Sequence, residues 1–511
     1  MSKERHTYFF VVVFAAALLT YLPPALVNEA PFWDDKAYIN NALIASGRIE
    51  PSKVWGPFAE ERPPLFWWLL TAVYLTGSPV EWARLVSPLM TSLGVAAIYL
   101  LTAKIFRSVS AGLLTSLIMV FLDYFVLTTS YILTDAFGSV LAFLTILCFG
   151  LGLRFGPYMW VAGSLLAASI VARDQNMLLI PCLILSMVWV ARAPKWFKLF
   201  VLSVLAATAY LALSMSQEVF LQRLSDIITP VILDRTFAPF LVLSFLFAVM
   251  AVYKVYEQKN LLSARPSIGE RSLDIFLGIV VCVVLLYPFF IDNVRLGDEF
   301  QIAGKGVLSR PVSHSIMVRD GITKQGLNTV QRIVAWSTAS VELLTLPLVL
   351  LSAAGCLLTV KNGVAQARPA IVWAAVTIPY VFVFTHLEYR FLVQAVPPMS
   401  FLAAYAISRV AAWNKYAGAA VAFSLLFFIV FPSNNGLTPT FESPTFVKGW
   451  KALAGESTPS EKWLTDYVMY LRDVAEQPRL TISLANVVSA CAVIPSLLSA
   501  VYLGLRRGLL Y

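Results

Sequence analysis

A succession of long apolar runs constrains this chain more than any other feature. They lie near 8–27, 84–103, 111–128, 135–152, 158–172, 177–192, 199–214, 238–253, 273–291, 343–360, 369–385, 391–409, 416–432 and 482–504. Each is close to the roughly 20 residues that a helix needs to cross the hydrocarbon core of a bilayer. Against lipid every backbone N–H and C=O must be satisfied within the segment, so such runs predict helices. The expected fold is therefore an all-α polytopic membrane protein with about fourteen transmembrane helices and long outer loops. The composition agrees, with 59% hydrophobic and 13% charged residues. A soluble domain carries about 45–50% and about 25%. A soluble enzyme, a disordered chain and a disulfide scaffold are excluded.

The first run follows Lys3 and Arg5 and ends at Pro23-Pro24 with no small-residue cleavage site. It reads as a retained first span with a cytoplasmic N-terminus rather than a cleaved leader. The apolar segment 64–76 is too short to cross and reads as an interfacial or re-entrant helix.

The net charge of +9 gains meaning once the loops are assigned alternately to two sides. The segments on the N-terminal side hold 18 of the 38 basic residues and only Glu4, Glu257, Glu270 and Asp274, a net of about +14. The other side nets about −5. Short basic cytoplasmic loops are what the positive-inside rule expects. Both termini are then cytoplasmic, as in an inner (plasma) membrane protein with an active face toward the periplasm or exterior. The outer side carries the long loops, 28–83, 215–237, 292–342 and 433–481, and long loops are usually functional. Three regions follow: a catalytic membrane region over 1–432, an outer loop over 433–481, and a last span with a basic tail over 482–511. No internal repeat is visible, which disfavours an inverted-repeat transporter.

Cys148, Cys182, Cys282, Cys356 and Cys491 all fall in apolar runs without metal spacing, and His6, His314 and His386 are scattered. The cysteines read as small buried hydrophobes. There is no phosphate loop of Walker type and no nucleic-acid module, so no nucleic-acid partner is expected.

Chemistry-bearing residues gather in the first outer loop. It opens with Pro31-Phe32-Trp33-Asp34-Asp35-Lys36-Ala37-Tyr38, leading into a helix-like stretch that ends at Gly47. Two adjacent carboxylates there suit a general base, and equally a helix cap. Further on comes Glu60-Glu61-Arg62-Pro63-Pro64-Leu65-Phe66-Trp67-Trp68, charge set directly before an aromatic, apolar helix start. An interfacial anchor, with Trp at headgroup level and a snorkelling Arg, reads equally well from these residues.

These motifs resemble those of the GT-C membrane glycosyltransferases, above all the lipid A aminoarabinose transferases and protein O-mannosyltransferases. Asp34-Asp35-Lys36-Ala37-Tyr38 is similar to the family's Asp-Glu-x-x-Tyr. Glu61-Arg62-Pro63-Pro64-Leu65 is similar to its Glu-Lys-Pro-Pro-Leu, with Arg for Lys. Thr134-Asp135 stands where the family has an Asp at a span start. Ala172-Arg173-Asp174-Gln175 takes the place of its Thr-Lys-Gly turn, keeping the charge and losing the glycine. His386-Leu387-Glu388-Tyr389-Arg390-Phe391, running to Pro397-Pro398, resembles its late Arg-Tyr segment with the order shifted. The resemblance covers about residues 8–410.

The resemblance implies transfer of a sugar from a polyprenyl-phosphate-linked donor to a lipid, glycan or protein acceptor at the outer face. Asp34, with Asp35, would take the acceptor proton. Arg62, Arg173 and Arg390 would hold the donor phosphate, for which the guanidinium fork suits better than an ammonium. Glu61, Asp135 and His386 would support the site. Tyr38 and Trp67 would stack on sugar, or serve an interfacial aromatic belt. No cofactor is required. A divalent metal on Glu61 and Asp35 is compatible, Mg or Mn with oxygen ligands alone and Zn if His314 or His386 joins. The competing class is a transporter or flippase of lipid-linked saccharides, which would place charges at the bilayer midplane. A glycan ligase or polymerase would share the composition, and the motif order disfavours it.

The charge split predicts that alkaline phosphatase fused after residues 225, 320 or 440 is active and that fusions after 260, 362 or 511 are silent. The reverse pattern in any loop would mean a miscounted span before it.

Overall fold

The computed structural model describes residues 3–27, 33–48, 64–153, 157–190, 275–280, 282, 329–384, 389–431 and 444–455. Every regular element among them is helical. In chain order the helices are α1 (Lys3–Val27), α2 (Trp33–Ala45), α3 (Pro64–Leu75), α4 (Ala83–Phe106), α5 (Val109–Phe121), α6 (Asp123–Thr129), α7 (Asp135–Gly152), α8 (Pro157–Ala172) and α9 (Leu179–Val190). After a gap in the described residues come α10 (Thr329–Leu344), α11 (Leu346–Lys361), α12 (Arg368–Phe384), α13 (Val396–Trp413), α14 (Lys415–Val430) and α15 (Thr445–Leu453). Short 3-10 turns over 174–178 and 389–395 lead into α9 and α13.

Four described helices are long and apolar enough to cross a membrane, and a fifth crossing forms if α5 and α6 count as one broken span. The chain is a multi-pass membrane protein. The apolar runs at 158–172, 343–360 and 416–432 form helices of shorter apolar extent. The spans expected near 199–214, 238–253 and 482–504, and most of 273–291, lie outside the described residues. The expected total of about fourteen therefore stays an expectation.

One expected span differs. The run 111–128 is no single rod: α5 and α6 meet at a bend of 66°. Leu122 leaves the helical region there (φ −66°, ψ 108°). Asp123, the only charge in the run, starts α6 and binds the backbone and hydroxyl of Thr445.

α7 is the pillar of the bundle. All its residues from Asp135 to Gly152 are buried, and it packs against α4, α6, α8 and α12. α13 is nearly as enclosed and packs on α5, α11 and α14. Lipid supplies no hydrophobic drive between apolar helices, so close backbone approach and interhelical hydrogen bonds hold them together. Tyr21 donates to the Met119 carbonyl at 3.1 Å, Ser116 to Val95 at 3.2 Å and Ser352 to Met399 at 2.8 Å. Gly355 of α11 lies so near α13 that a Cβ would overlap the Leu402 carbonyl.

The ends of the bundle differ in chemistry. At one end Lys104 donates to Tyr158 at 2.8 Å and Arg368 lies over Trp189 at 5.4 Å. The other end gathers the C-terminus of α1, the N-termini of α4 and α7, and the C-terminus of α8; Arg84 at the start of α4 donates to the Leu26 carbonyl at 3.1 Å. This second end is the one assigned to the outer side by the charge split.

Gly355→Ala should push α11 off α13 and destabilise the protein by about 1–3 kcal/mol, the usual cost of overpacking. Thermal unfolding in detergent micelles measures it, and an unchanged midpoint would show that this contact bears no strain.

Candidate functional site

The site is built where α7 begins. Thr134 stands at its N-cap position and Asp135 opens its first turn. A carboxylate there is favoured by the helix dipole. Its neighbour is the turn after α8. Antiparallel packing of α7 and α8 brings the end of one beside the start of the other, and Arg173 follows α8 directly. Arg173 Nη2 lies 2.7 Å from Asp135 Oδ1, with both side chains almost wholly buried. Arg173 Nη1 also donates to the Asp135 carbonyl at 3.4 Å, and Nε donates to Gln175 Oε1.

Two glycine-scale details allow this approach. A Cβ on Gly138 would stand 3.3 Å from Arg173 Cβ, tighter than an easy contact. Asn176, fully buried, then spends its amide N–H groups on the Gly138 carbonyl at 3.0 Å and the Ser169 carbonyl at 2.9 Å. Its oxygen accepts from Gln394 Nε2 at 3.4 Å. Gln394 belongs to the 389–395 turn, so this amide pair fastens that turn to the α8–α9 hairpin. Asn176 is thereby satisfied at donor and acceptor alike, which fixes its arrangement, while Gln394 Oε1 is buried with no partner among the described residues.

The same turn contributes Phe391 and Arg390. The Arg173 guanidinium lies 5.7 Å from the centre of the Phe391 ring and that of Arg390 lies 5.3 Å from it. Two of the three arginines expected to hold phosphate therefore meet around one phenyl ring, within cation–π range.

α2 is fastened to the same place. Tyr38, 4% exposed, lies 3.2 Å through its hydroxyl from Thr134 Oγ1. Its ring meets Phe66 of α3 edge-on at 5.4 Å, and Phe66 in turn faces Phe137 of α7 at 6.5 Å. Trp67 packs half-buried against the same cluster. Arg48, past the end of α2, donates to the carbonyls of Tyr74 and, at 2.6 Å, Ser78. A cation at the C-terminal end of α3 is favoured by its dipole. Burial pushes the Tyr74 phenol up to about 12, although Arg48 pulls the other way.

The sequence-expected residues divide as follows. Tyr38, Asp135, Arg173 and Arg390 lie together at one end of the bundle, with Trp67 close by. Asp34 and Asp35 occupy the first turn of α2, four and three positions before Tyr38. The helix begins earlier than the sequence suggested, at Trp33. Glu61, Arg62, His314 and His386 lie outside the described residues. Among the described residues no three His, Cys, Asp or Glu side chains gather as a metal site. The structure pairs Arg173 with Asp135, two residues that the sequence motifs offered separately. Asn176, Gln394, Phe391 and Arg48 were missed. Gln394 carried a signal, as an amide inside an otherwise apolar stretch.

Comparison with known proteins adds one sequence match. The family model of dolichyl-phosphate-mannose-protein mannosyltransferases matches residues 61–220. That span takes in Glu61, Arg62, Asp135 and Arg173, and the family is among those the motifs resemble. No curated protein matches the chain. Among solved structures, the oligosaccharyltransferase AglB from Archaeoglobus fulgidus, in complex with an inhibitory peptide and a dolichol-phosphate, aligns at 12% identity with a TM-score of 0.42 over 95% of this chain and 56% of that one. The Archaeoglobus fulgidus oligosaccharyltransferase tethered with an acceptor peptide containing the NVT sequon aligns at 12% identity and a TM-score of 0.43, over 92% and 59%. This chain thus spans less than two thirds of the length of either structure.

Breaking a buried ion pair leaves an uncompensated charge, at a cost of about 3–5 kcal/mol. Asp135→Leu and Arg173→Met should each lower stability by about that much, and the double variant should regain most of it. Denaturation in detergent tests this; a double variant as unstable as the sum of the singles would show that the pair is not the unit.

Proposed function

We propose that this chain is an integral-membrane glycosyltransferase that moves a sugar from a polyprenyl-phosphate-linked donor to an acceptor on the outer face of the membrane. The match of residues 61–220 to the mannosyltransferase family model carries the reading. The gathering of Tyr38, Asp135, Arg173 and Arg390 at one end of the bundle supports it.

The donor's lipid tail stays in the bilayer, so the reacting carbon lies at the interface, beside the loops that follow α1 and precede α7. The acceptor hydroxyl oxygen attacks the anomeric carbon of the sugar. The bond from that carbon to the phosphate oxygen breaks, and its electron pair leaves with the phosphate. Asp34 takes the hydroxyl proton, with Asp35 beside it in the same helical turn. Arg62 and Arg390 face the leaving phosphate, where fixed positive charge lowers the cost of the developing negative charge. Arg173 contributes through its buried pair: Asp135 and Gln175 hold its guanidinium, and the Phe391 ring lies near both it and Arg390. Described residues engage three of its five N–H donors, and the other two are the ones assigned here to a phosphate oxygen. The transfer itself needs no cofactor. A divalent cation on Asp35 and Glu61 is compatible with hard oxygen ligands. Acceptor choice falls to the outer loops over 292–342 and 433–481.

Asp34→Asn should reduce transfer by about 10²–10⁴ while the protein still folds in membranes. Mass spectrometry of lipids and glycans reads the outcome: cells with the variant should accumulate a polyprenyl-phosphate sugar and lose that sugar from one acceptor. Normal transfer by Asp34→Asn would remove it from the mechanism. Loss of outer-face donor without loss of transfer activity in isolated membranes would indicate a transporter instead.

A further inference from the structure

α15 belongs to the outer loop over 433–481, to which no motif assigns a role, yet it is fastened at three points. Its N-cap position is Pro444, which offers no side-chain cap. The cap comes from Asp123 at the α5–α6 bend: Oδ1 accepts from the Thr445 N–H at 2.6 Å and Oδ2 from its hydroxyl at 2.8 Å. Phe446 meets Phe121 at 6.1 Å beside it. One turn on, Gly449 rests on the Pro23-Pro24 step of α1, where a Cβ would stand 2.6 Å from Pro24 N and 2.9 Å from Pro23 C.

The third point concerns a missing hydrogen bond. In an α-helix the Leu19 carbonyl would accept from the N–H of residue 23. Residue 23 is proline and has none. Leu19 is 57% exposed and belongs to an apolar helix long enough to cross a membrane, and in lipid an unsatisfied carbonyl is costly. Trp450 donates its indole N–H to that carbonyl at 3.2 Å. The indole supplies from outside one of the two bonds that Pro23 and Pro24 take from α1.

We infer that α15 is a clamp on the proline step of α1, and that Trp450, Gly449 and Asp123 are positioning residues for the helix that carries Asp34. Prolines are where helices bend. α1 ends at Val27 and α2 starts at Trp33, so five residues join the clamped helix to the one that carries Asp34. A carboxylate base works only within hydrogen-bond reach of its proton, and a misplacement of about 1 Å can cost about 10²-fold. The role assigned to Asp34 rests on the proposed function; the clamp itself is testable without it.

The experiment uses the full-length protein in lipid nanodiscs. Amide hydrogen exchange over residues 28–45 is followed together with kcat and KM for a polyprenyl-phosphate sugar. Trp450→Phe keeps an aromatic ring and removes the N–H along with part of the indole's surface. Exchange over 33–45 should rise between about twofold and tenfold, the range for one lost hydrogen bond. kcat should fall about tenfold to a hundredfold with KM nearly unchanged. Gly449→Ala should act alike, by pushing α15 off the proline step. Pro23→Ala gives α1 back its own donor, so in that background Trp450→Phe should change exchange less than twofold. Unchanged exchange over 33–45 in both Trp450→Phe and Gly449→Ala overturns the clamp. So does an effect of Trp450→Phe that is equally large with and without Pro23. A protein that shows the exchange pattern but never transfers sugar would retain the clamp and lose the functional reading.

Discussion

The buried pair of Asp135 and Arg173 is the interaction on which the candidate site depends. Two charges taken from water demand a partner and good geometry, and here the partners sit on the facing ends of two antiparallel helices. That demand sets the depth at which the α8–α9 hairpin meets α7. Asn176 then fixes the hairpin's rotation and Gln394 brings in the turn before α13. The pair thus joins three stretches that are far apart in the chain. Its own charges cancel, and the half-buried Arg390 stands against the same Phe391 ring as Arg173.

The pillar explains why that pair is placed so firmly. α7 is enclosed on all sides, so its N-terminus cannot shift without moving α4, α8 and α12. Tyr38 and Phe66 attach the first outer loop to this fixed end, and Arg48 ties α2 to the end of α3. The catalytic candidates at the start of α2 therefore hang from rigid helices, although they belong to a loop.

Much of the membrane fold was legible because it rests on a short-range rule. α1, α4, α7, α8 and α12 match the apolar runs closely, since lipid imposes helix on any such run. The break at Leu122 was not legible. Nothing around Asp123 marks it as a terminus; its partner Thr445 is remote in sequence, and only packing brings them together. The candidate site was legible residue by residue and not as an arrangement. Asp135 and Arg173 were each singled out, yet their pairing follows from helix order and close packing at Gly138. Asn176, next to Arg173, Asp174 and Gln175, looks like an ordinary polar letter until the structure buries it.

The total enclosure of α7 also bears on how the molecule is put together. The helices that cover it on one side, α12 and α13, are encoded far downstream, so the pillar enters the membrane before its walls exist. During that interval lipid must take the place of protein around it. The sequence of α7 meets this need: between Asp135 and Gly152 it is apolar throughout, save for small residues and hydroxyls such as Ser139 and Thr145 that bond back to their own helix. Its one charge waits at the interface, where water can solvate it until Arg173 arrives. The segment most deeply hidden in the finished bundle is thus one that a bare bilayer would accept, and the order of synthesis, as much as the final packing, accounts for its composition.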